Sequence, residues 1–464
     1  MRMPIERISS GIVELDRCLQ NGFPSGYVIN VRGEPGAGKT LFVTQVATKN
    51  AERGLKTVYV SFLEDREKFI AAASTLLPQV RKHVESDIIS YVELSSVTQA
   101  GVSPLMELVL ERVDSVEPSI LVFDSYSAVV QALGSEAEGR ALLNNLFSRI
   151  FSKRKVTTLI ITEGDQNDFV SYVADGIIRM SRKSEPTSYR ILEILKMRSV
   201  PLDESKFLFV FEKGRGLRVF RPFNATLSKK LKPRSAIQEK KKGYYSTGSR
   251  SLDAVIGGYQ KGSLVLWEMG RDVPQLAFYS VVLLAAANFL VQERGVLIIP
   301  SLEFTRESLT PFVYPNKELF ERNTRLFMDN VPQDSELFVQ LTGDMERDLE
   351  KWNEVYEGFK KRGVPVLKVV SLDTLEHIYG KEKSVNLVRR AYLKTSHYKD
   401  VTLLLAKPGL EITEEVRYMA HTRLSLRFVD GYLLFKGLSP YTSDYLYEPR
   451  FSKGYPEVRL FEIN

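Results

Sequence analysis

Gly33-Glu34-Pro35-Gly36-Ala37-Gly38-Lys39-Thr40 brings together glycines, a lysine and a hydroxyl, the groups needed to hold a phosphate chain. Glycines let the backbone wrap an anion, so that several N–H groups and a helix N-terminus point at it together. In that chemistry Lys39 reaches the β- and γ-phosphates and Thr40 ligates Mg²⁺, and Gly33 through Leu41 are the candidate nucleotide contacts. A glycine-rich turn with no ligand would not need all of these positions at once.

The flanking elements suit the task. An apolar run from Tyr27 to Val31 reads as a strand entering the loop, and Leu41 to Arg53 carries helical spacing. The next strand, Leu55 to Phe62, leads into Glu64, Asp65 and Glu67, acidic residues that would also complement a helix dipole. Strand Ile88 to Leu94, helix Pro104 to Val113 and strand Ser119 to Phe123 continue the alternation. The last of these runs into Asp124, about 85 residues beyond Lys39. A carboxylate leaving the sheet there can hold a water of the Mg²⁺ shell; the alternative is a helix N-cap. Helix Gly139 to Phe151 and strand Val156 to Thr162 complete a parallel core. Four strands then follow in succession, Gly176 to Met180, Tyr189 to Met197, Phe207 to Phe211 and Leu217 to Phe220, expected to extend one edge as an antiparallel meander.

At 464 residues the chain exceeds what one core supports. The single cysteine, Cys18, excludes an internal disulfide framework and suits a reducing compartment. The most apolar stretch, Leu276 to Val291, contains Ser280 and Asn288 and is short for a span, so a cytoplasmic protein without a membrane segment is expected. A net charge of +7 is compatible with polyanion binding without requiring it. His83, His377, His397 and His421 show no metal-ligand spacing.

Four segments in order, SSGIVELDRCLQNGFPSGYVINVRGEPGAGKT, YVSFLED, ILVFDSYSAVV and YVADGIIRMSRKSEPTSYRILEILKMRSV, resemble the KaiC-like ATPases of the RecA superfamily over residues 5–224. The resemblance implies ATP and Mg²⁺ as cofactors and a homo-oligomeric, hexameric ring. It implies a general base after the second core strand, matched by Glu64 with Asp65 as the alternative, since SFLED carries one residue more than the commoner pattern. It also implies that Lys196 and Arg198 reach the γ-phosphate of the neighbouring subunit; on residue chemistry alone they could equally be the wet face of an alternating strand.

Between Asn224 and Tyr244 the chain turns basic, with Lys229, Lys230, Lys232, Arg234, Lys240, Lys241 and Lys242 against Glu239. Such a run is a solvated connector or a phosphate-backbone contact. Beyond it the chain begins again: Ser246 to Asp253 echoes Ser10 to Asp16, and SLVLWEMG echoes YVINVRGE. The expected organisation is an ATPase domain over 1–224, a linker over 225–243 and a second domain over 244–464. The expected fold class is α/β, two tandem RecA-like domains, each a mainly parallel twisted sheet with helices on both faces and an antiparallel extension. In this the chain resembles the two-domain, archaeal-type members of the family with a degenerate second loop. There Pro274 stands for Gly38, Gln275 for Lys39 and Leu276 for Thr40, so the second domain loses the phosphate-neutralising charge and the Mg²⁺ hydroxyl. Asp373 is expected opposite Asp124, Glu303 opposite Glu64, and Leu433 to Leu438 opposite the strand around Lys196.

Three functions fit: a slow Mg²⁺-dependent ATPase working from domain one within a ring, a RecA-like DNA-binding ATPase, and a nucleotide-gated switch with negligible hydrolysis. Autokinase activity is not expected, because in the family it resides in the second domain. A protein partner is left unspecified.

Overall fold

Alternation along the core strands decides the layering. In the computed structural model, residues 6–62, 64–94, 102–133, 137, 154–164, 169–184, 187–224, 235–304, 317–331, 336–450 and 457–463 are described. The expected helix over 139–151 and the linker residues Lys229, Lys230, Lys232 and Arg234 lie outside them. The chain divides into two compact units, the first running to Pro222 and the second from Phe223 to Glu462.

In unit 1, strands β1 (Val28–Gly33), β2 (Thr57–Ser61), β3 (Ile89–Glu93), β4 (Ile120–Asp124), β5 (Thr157–Glu163), β6 (Gly176–Lys183), β7 (Tyr189–Met197), β8 (Lys206–Glu212) and β9 (Gly216–Phe220) form one sheet. Their order is β9-β8-β7-β6-β1-β5-β4-β2-β3. Ile29, Val31, Tyr59, Ile120, Val122, Leu159 and Ile161 join one buried cluster; Val28, Val58, Val60, Leu121, Phe123 and Ile160 join another. A period of two puts these sets on opposite faces, so both faces are covered. Helix Lys39–Ala51 packs Phe42, Val43 and Val46 into the first cluster, and helix Val102–Val116 packs Val109 and Val113 into the second. Phe42 is fully buried, and a side chain of this kind contributes about 1.5–3 kcal/mol.

One expectation is corrected. β6, the first strand of the meander, pairs parallel with β1, and the antiparallel extension begins only at β7. The chain reaches β6 from β5 through helix Phe169–Val173, and a helical crossover permits parallel pairing where a tight turn does not.

Unit 2 repeats the plan. Strands β10 (Ser263–Met269), β11 (Gly295–Ile299), β12 (Thr324–Met328), β13 (Phe338–Gln340), β14 (Val366–Ser371), β15 (Val401–Ala406), β16 (Thr422–Val429), β17 (Tyr432–Ser439), β18 (Tyr441–Arg450) and β19 (Glu457–Glu462) lie in the order β13-β12-β11-β14-β15-β10-β16-β17-β18-β19. Read from the other edge this matches unit 1 strand for strand, with β13 added. The duplication extends to single hydrogen bonds. Ser9 Oγ donates to Asp16 Oδ2 (2.5 Å) and the Ser10 N–H to Asp16 Oδ1 (2.7 Å). Ser246 Oγ donates to Asp253 Oδ2 (2.5 Å) and the Thr247 N–H to Asp253 Oδ1 (2.8 Å). The described end of the basic segment is docked on unit 2: Ile237 is buried, its N–H donates to Asn288 Oδ1 (2.8 Å) and its carbonyl accepts from Asn288 Nδ2 (3.1 Å). Among the described residues no helix is long and apolar enough to cross a membrane.

Candidate functional site

The phosphate-loop motif sits where β1 meets helix Lys39–Ala51. At Gly33 (φ +151°) a Cβ would come within 2.0 Å of the Met180 carbonyl oxygen. At Gly38 (φ +97°), which caps the helix in the left-handed region, it would strike the Phe211 ring at 2.6 Å. Glycine is required at both, and the loop is held against β6 and β8. The Lys39 ammonium curls back onto its own loop, donating to the carbonyls of Gly33 (2.7 Å) and Glu34 (2.9 Å). Burial draws its pKa down, while the carboxylates of Glu163, Asp124 and Glu34 act in the opposite sense.

At the carboxyl end of the parallel strands a cavity of about 420 Å³ is lined by Pro35, Gly36, Gly38, Lys39, Thr40, Leu41, Glu64, Asp124 and Glu163. Gly33, Glu34 and Ala37 do not line it; the first two anchor Lys39 from behind and Ala37 is buried in the core. Asp124 closes β4, its peptide bond to Ser125 is cis, and its Oδ2 accepts from the Tyr59 hydroxyl (2.7 Å). Burial raises the Asp124 carboxyl above the usual carboxylate range; hydrogen bonds from Tyr59 and Thr40 counter this, and nearby Glu64 reinforces it. Thr40 and Asp124 thus present hard oxygen donors to the same cavity, a set that fits Mg²⁺.

Glu64 and Asp65 face different tasks. Glu64 lines the cavity, its backbone pinned by Ser61 Oγ and by the Tyr91 hydroxyl, which donates to the Glu64 carbonyl (2.9 Å). Asp65 caps helix Arg66–Ser74, accepting from the Lys68 N–H (2.8 Å) and pairing with the Lys68 ammonium (2.8 Å), which holds its carboxyl below its ordinary value. Lys196 and Arg198 stand apart from this cavity. The Lys196 ammonium donates to the Ala174 carbonyl (2.7 Å), and Arg198 pairs with Asp175 (3.0 Å).

Glu163, which the sequence reading passed over, lies on the rim and is the carboxylate that acts most on Lys39. The signal was present, since Glu163 ends an apolar parallel strand as Asp124 does. Tyr59 was hidden for another reason: a tyrosine inside an apolar strand reads as core, and its hydroxyl becomes meaningful only once β2 is seen beside β4.

Residues 8–223 match the family described as ATPase: KaiC. Unit 1 is a KaiC-like domain of the RecA superfamily. The chain as a whole is 23% identical to the GvpD2 protein of Halobacterium salinarum, covering 98% of this chain and 97% of that protein. It is 28% identical to the DNA repair protein RadA of Brucella abortus over 45% of this chain and 44% of RadA. With the circadian clock oscillator protein KaiC of a Picosynechococcus it shares 27% identity over 28% of this chain and 25% of that one. A solved KaiC-like protein from Pyrococcus horikoshii is 24% identical, with 47% of this chain and all of that one covered and a TM-score of 0.43.

Unit 2 repeats the strand order of unit 1 but differs from it at the same place. Register sets the correspondence: Asn30, Ile160, Phe123 and Val60 form one rung in unit 1, and Leu266, Leu404, Val370 and Ile299 the matching rung in unit 2. Counting from it, Glu303 stands at the place of Glu64, but the position of Asp124 is held by Ser371, two residues before Asp373. The expected pairing of Asp373 with Asp124 is therefore corrected; a Cα register cannot be read from an Asp near a strand end. The same bulge recurs in β7 and β17, so Leu433–Leu438 lie on the strand that corresponds to the one around Lys196, as expected, and Ser439 stands at the place of Lys196 itself.

At the place of Glu163 unit 2 carries Lys407. Its ammonium pairs with Glu303 (3.1 Å) and Asp373 (3.2 Å), and Asp373 also accepts from Ser301 Oγ (2.6 Å). Gln275, at the place of Lys39, donates to the Glu303 carbonyl (3.0 Å). The cation of this site enters from a strand end instead of from the loop, and it is spent on the unit's own carboxylates.

Proposed function

We propose that the chain binds ATP with Mg²⁺ in unit 1 and hydrolyses it slowly, as an assembly of copies in which unit 2 takes no part in the chemistry. The observation that carries this reading is the convergence of Lys39, Thr40, Glu64 and Asp124 on one cavity at the carboxyl end of a parallel sheet. Lys39 would exchange the carbonyls of Gly33 and Glu34 for phosphate oxygens, a trade of weaker for charge-assisted hydrogen bonds. Thr40 and Asp124 would hold the Mg²⁺ shell, whose charge offsets that developing on the transferred phosphoryl group. Glu64 would orient and deprotonate the attacking water. Lys196 and Arg198 would serve the cavity of a neighbouring copy, which suits their distance from their own. The supporting measurement is Mg²⁺-dependent ATP turnover at several protein concentrations, for the unaltered chain and Lys39→Ala. Turnover rising faster than concentration and absent in the variant agrees with the proposal; undiminished turnover in Lys39→Ala overturns it.

A nucleotide-gated switch uses the same residues and differs only in how fast Glu64 lets water attack; tight binding with negligible turnover would mark it. For the DNA-binding reading nothing in the site adds to the charge of the basic segment.

A further inference from the structure

At the amino ends of β11, β12 and β14, the pole of the unit 2 sheet opposite Lys407, lies a second cavity of about 970 Å³. Its walls carry Arg322, Arg325 and Arg362 together with Glu293, Glu321 and Glu336. The formal charges balance, but the pairings do not. Arg322 is matched by Glu293 at 3.0 Å. Among the described residues Arg325 has Glu336 as its one carboxylate partner, at 3.6 Å, beyond hydrogen-bond range, and the Glu336 side chain is 95% exposed, where water screens it. Among the described residues Arg362 has no carboxylate partner. Its Nη2 donates to Asn323 Oδ1 (2.6 Å), and its guanidinium lies over the Phe359 ring.

Three features organise these donors toward an anion. Arg325 is half-buried and oriented by bonds from Nη1 to the carbonyls of Glu321 (2.8 Å) and Thr324 (2.7 Å), so part of the cost of ordering its fork is already met. Burial disfavours the Arg325 cation; the Glu336 carboxylate opposes this, and the neighbouring Arg362 charge adds to it by a smaller amount, so the two guanidinia repel. Asn323 is fully buried, and its Nδ2, on the carboxamide that anchors Arg362, has no hydrogen-bond partner among the described residues.

We propose that this cavity is a binding site for a doubly charged oxyanion, the phosphate group of a small molecule, held by the forks of Arg325 and Arg362 with the Asn323 carboxamide positioning Arg362. A dianion supplies the two charges that the exposed Glu336 does not, and the guanidinium fork matches phosphate oxygens bidentately. The inference is independent of the nucleotide reading of unit 1.

Calorimetric titration of the full-length chain with inorganic pyrophosphate at low salt tests it. Because the unit 1 loop is itself a phosphate cradle, the titration is repeated on Lys39→Ala. Binding that persists in Lys39→Ala and weakens by roughly tenfold or more in Lys39→Ala/Arg362→Gln is the expected result. Arg362→Lys, which keeps the charge but not the fork, is expected to fall between them. Melting curves of the variants confirm that each is folded, and Arg362→Gln leaves the backbone bonds of Arg325 in place. Loss of all binding in Lys39→Ala, or an unchanged isotherm in folded Lys39→Ala/Arg362→Gln, overturns the proposal.

Discussion

Glu64 and Asp65 are neighbours in sequence, yet one lines the cavity and the other caps a helix, and their substitutions should separate accordingly. Glu64→Gln is expected to keep nucleotide binding and lose turnover by roughly 10²–10⁴-fold, the usual span for a removed general base. Asp65→Ala should leave turnover intact and lower only the melting temperature; a large loss of turnover there would transfer the base role to it. A different residue controls pH dependence. Lys368 is buried against the Tyr356 ring, donates to Thr395 Oγ1 (3.0 Å), and burial pushes its pKa from 10.5 down to about 7, against the pull of Asp400. The unfolded chain therefore binds this proton at pH values where the folded chain has released it. Stability from this group rises as pH goes from about 7 to 10.5, and its cost is fully present below 7. Lys368→Met should raise stability near pH 7 by on the order of 1–3 kcal/mol and flatten that rise, as read from denaturant melts across the pH range.

At the scale of elements, the turn built on Asp16 and its copy on Asp253 each tie a serine hydroxyl and a backbone N–H to one carboxylate. Asp16→Ala and Asp253→Ala should each cost about 1–3 kcal/mol, measured by chemical denaturation, because they leave these donors without partners. The Lys407 bridge offers a further test: Lys407→Met strands Asp373 beside Glu303 and should destabilise the chain by about 1–3 kcal/mol, less than for a wholly enclosed pair because Glu303 is two-thirds exposed. Most of these elements were legible in the sequence. Apolar runs ending in Gly33 and Asp124 announced parallel strands with a site at their carboxyl ends, and the repeated Ser-Gly-Asp turn announced the duplication. What stayed hidden depends on pairing between distant strands: the parallel run of β6, the rung that assigns Ser371 and not Asp373 to the place of Asp124, and the partners of Lys407. Local patterns fix the period of a strand but not its neighbour or its register.

For the whole molecule the decisive matter is which copy completes which site. Lys196 and Arg198 sit on Ala174 and Asp175 of their own chain, away from Lys39. On the proposed function Lys39→Ala and Arg198→Ala should each be inactive alone, whereas a mixture should regain part of the turnover, since mixed contacts pair an intact loop with an intact arginine. No recovery in mixtures shown to co-assemble would remove the role in trans. Lys407 sets the other unit apart in a way that concerns information. A ligand in solution can be diluted, competed away or exchanged for its product, and occupancy of a site follows its concentration by mass action. An ammonium fastened to the backbone has a fixed effective concentration beside Glu303 and Asp373. If unit 1 binds nucleotide as proposed, its occupancy follows the nucleotide supply, whereas the charge that Lys407 brings to this pole of unit 2 does not vary with any supply.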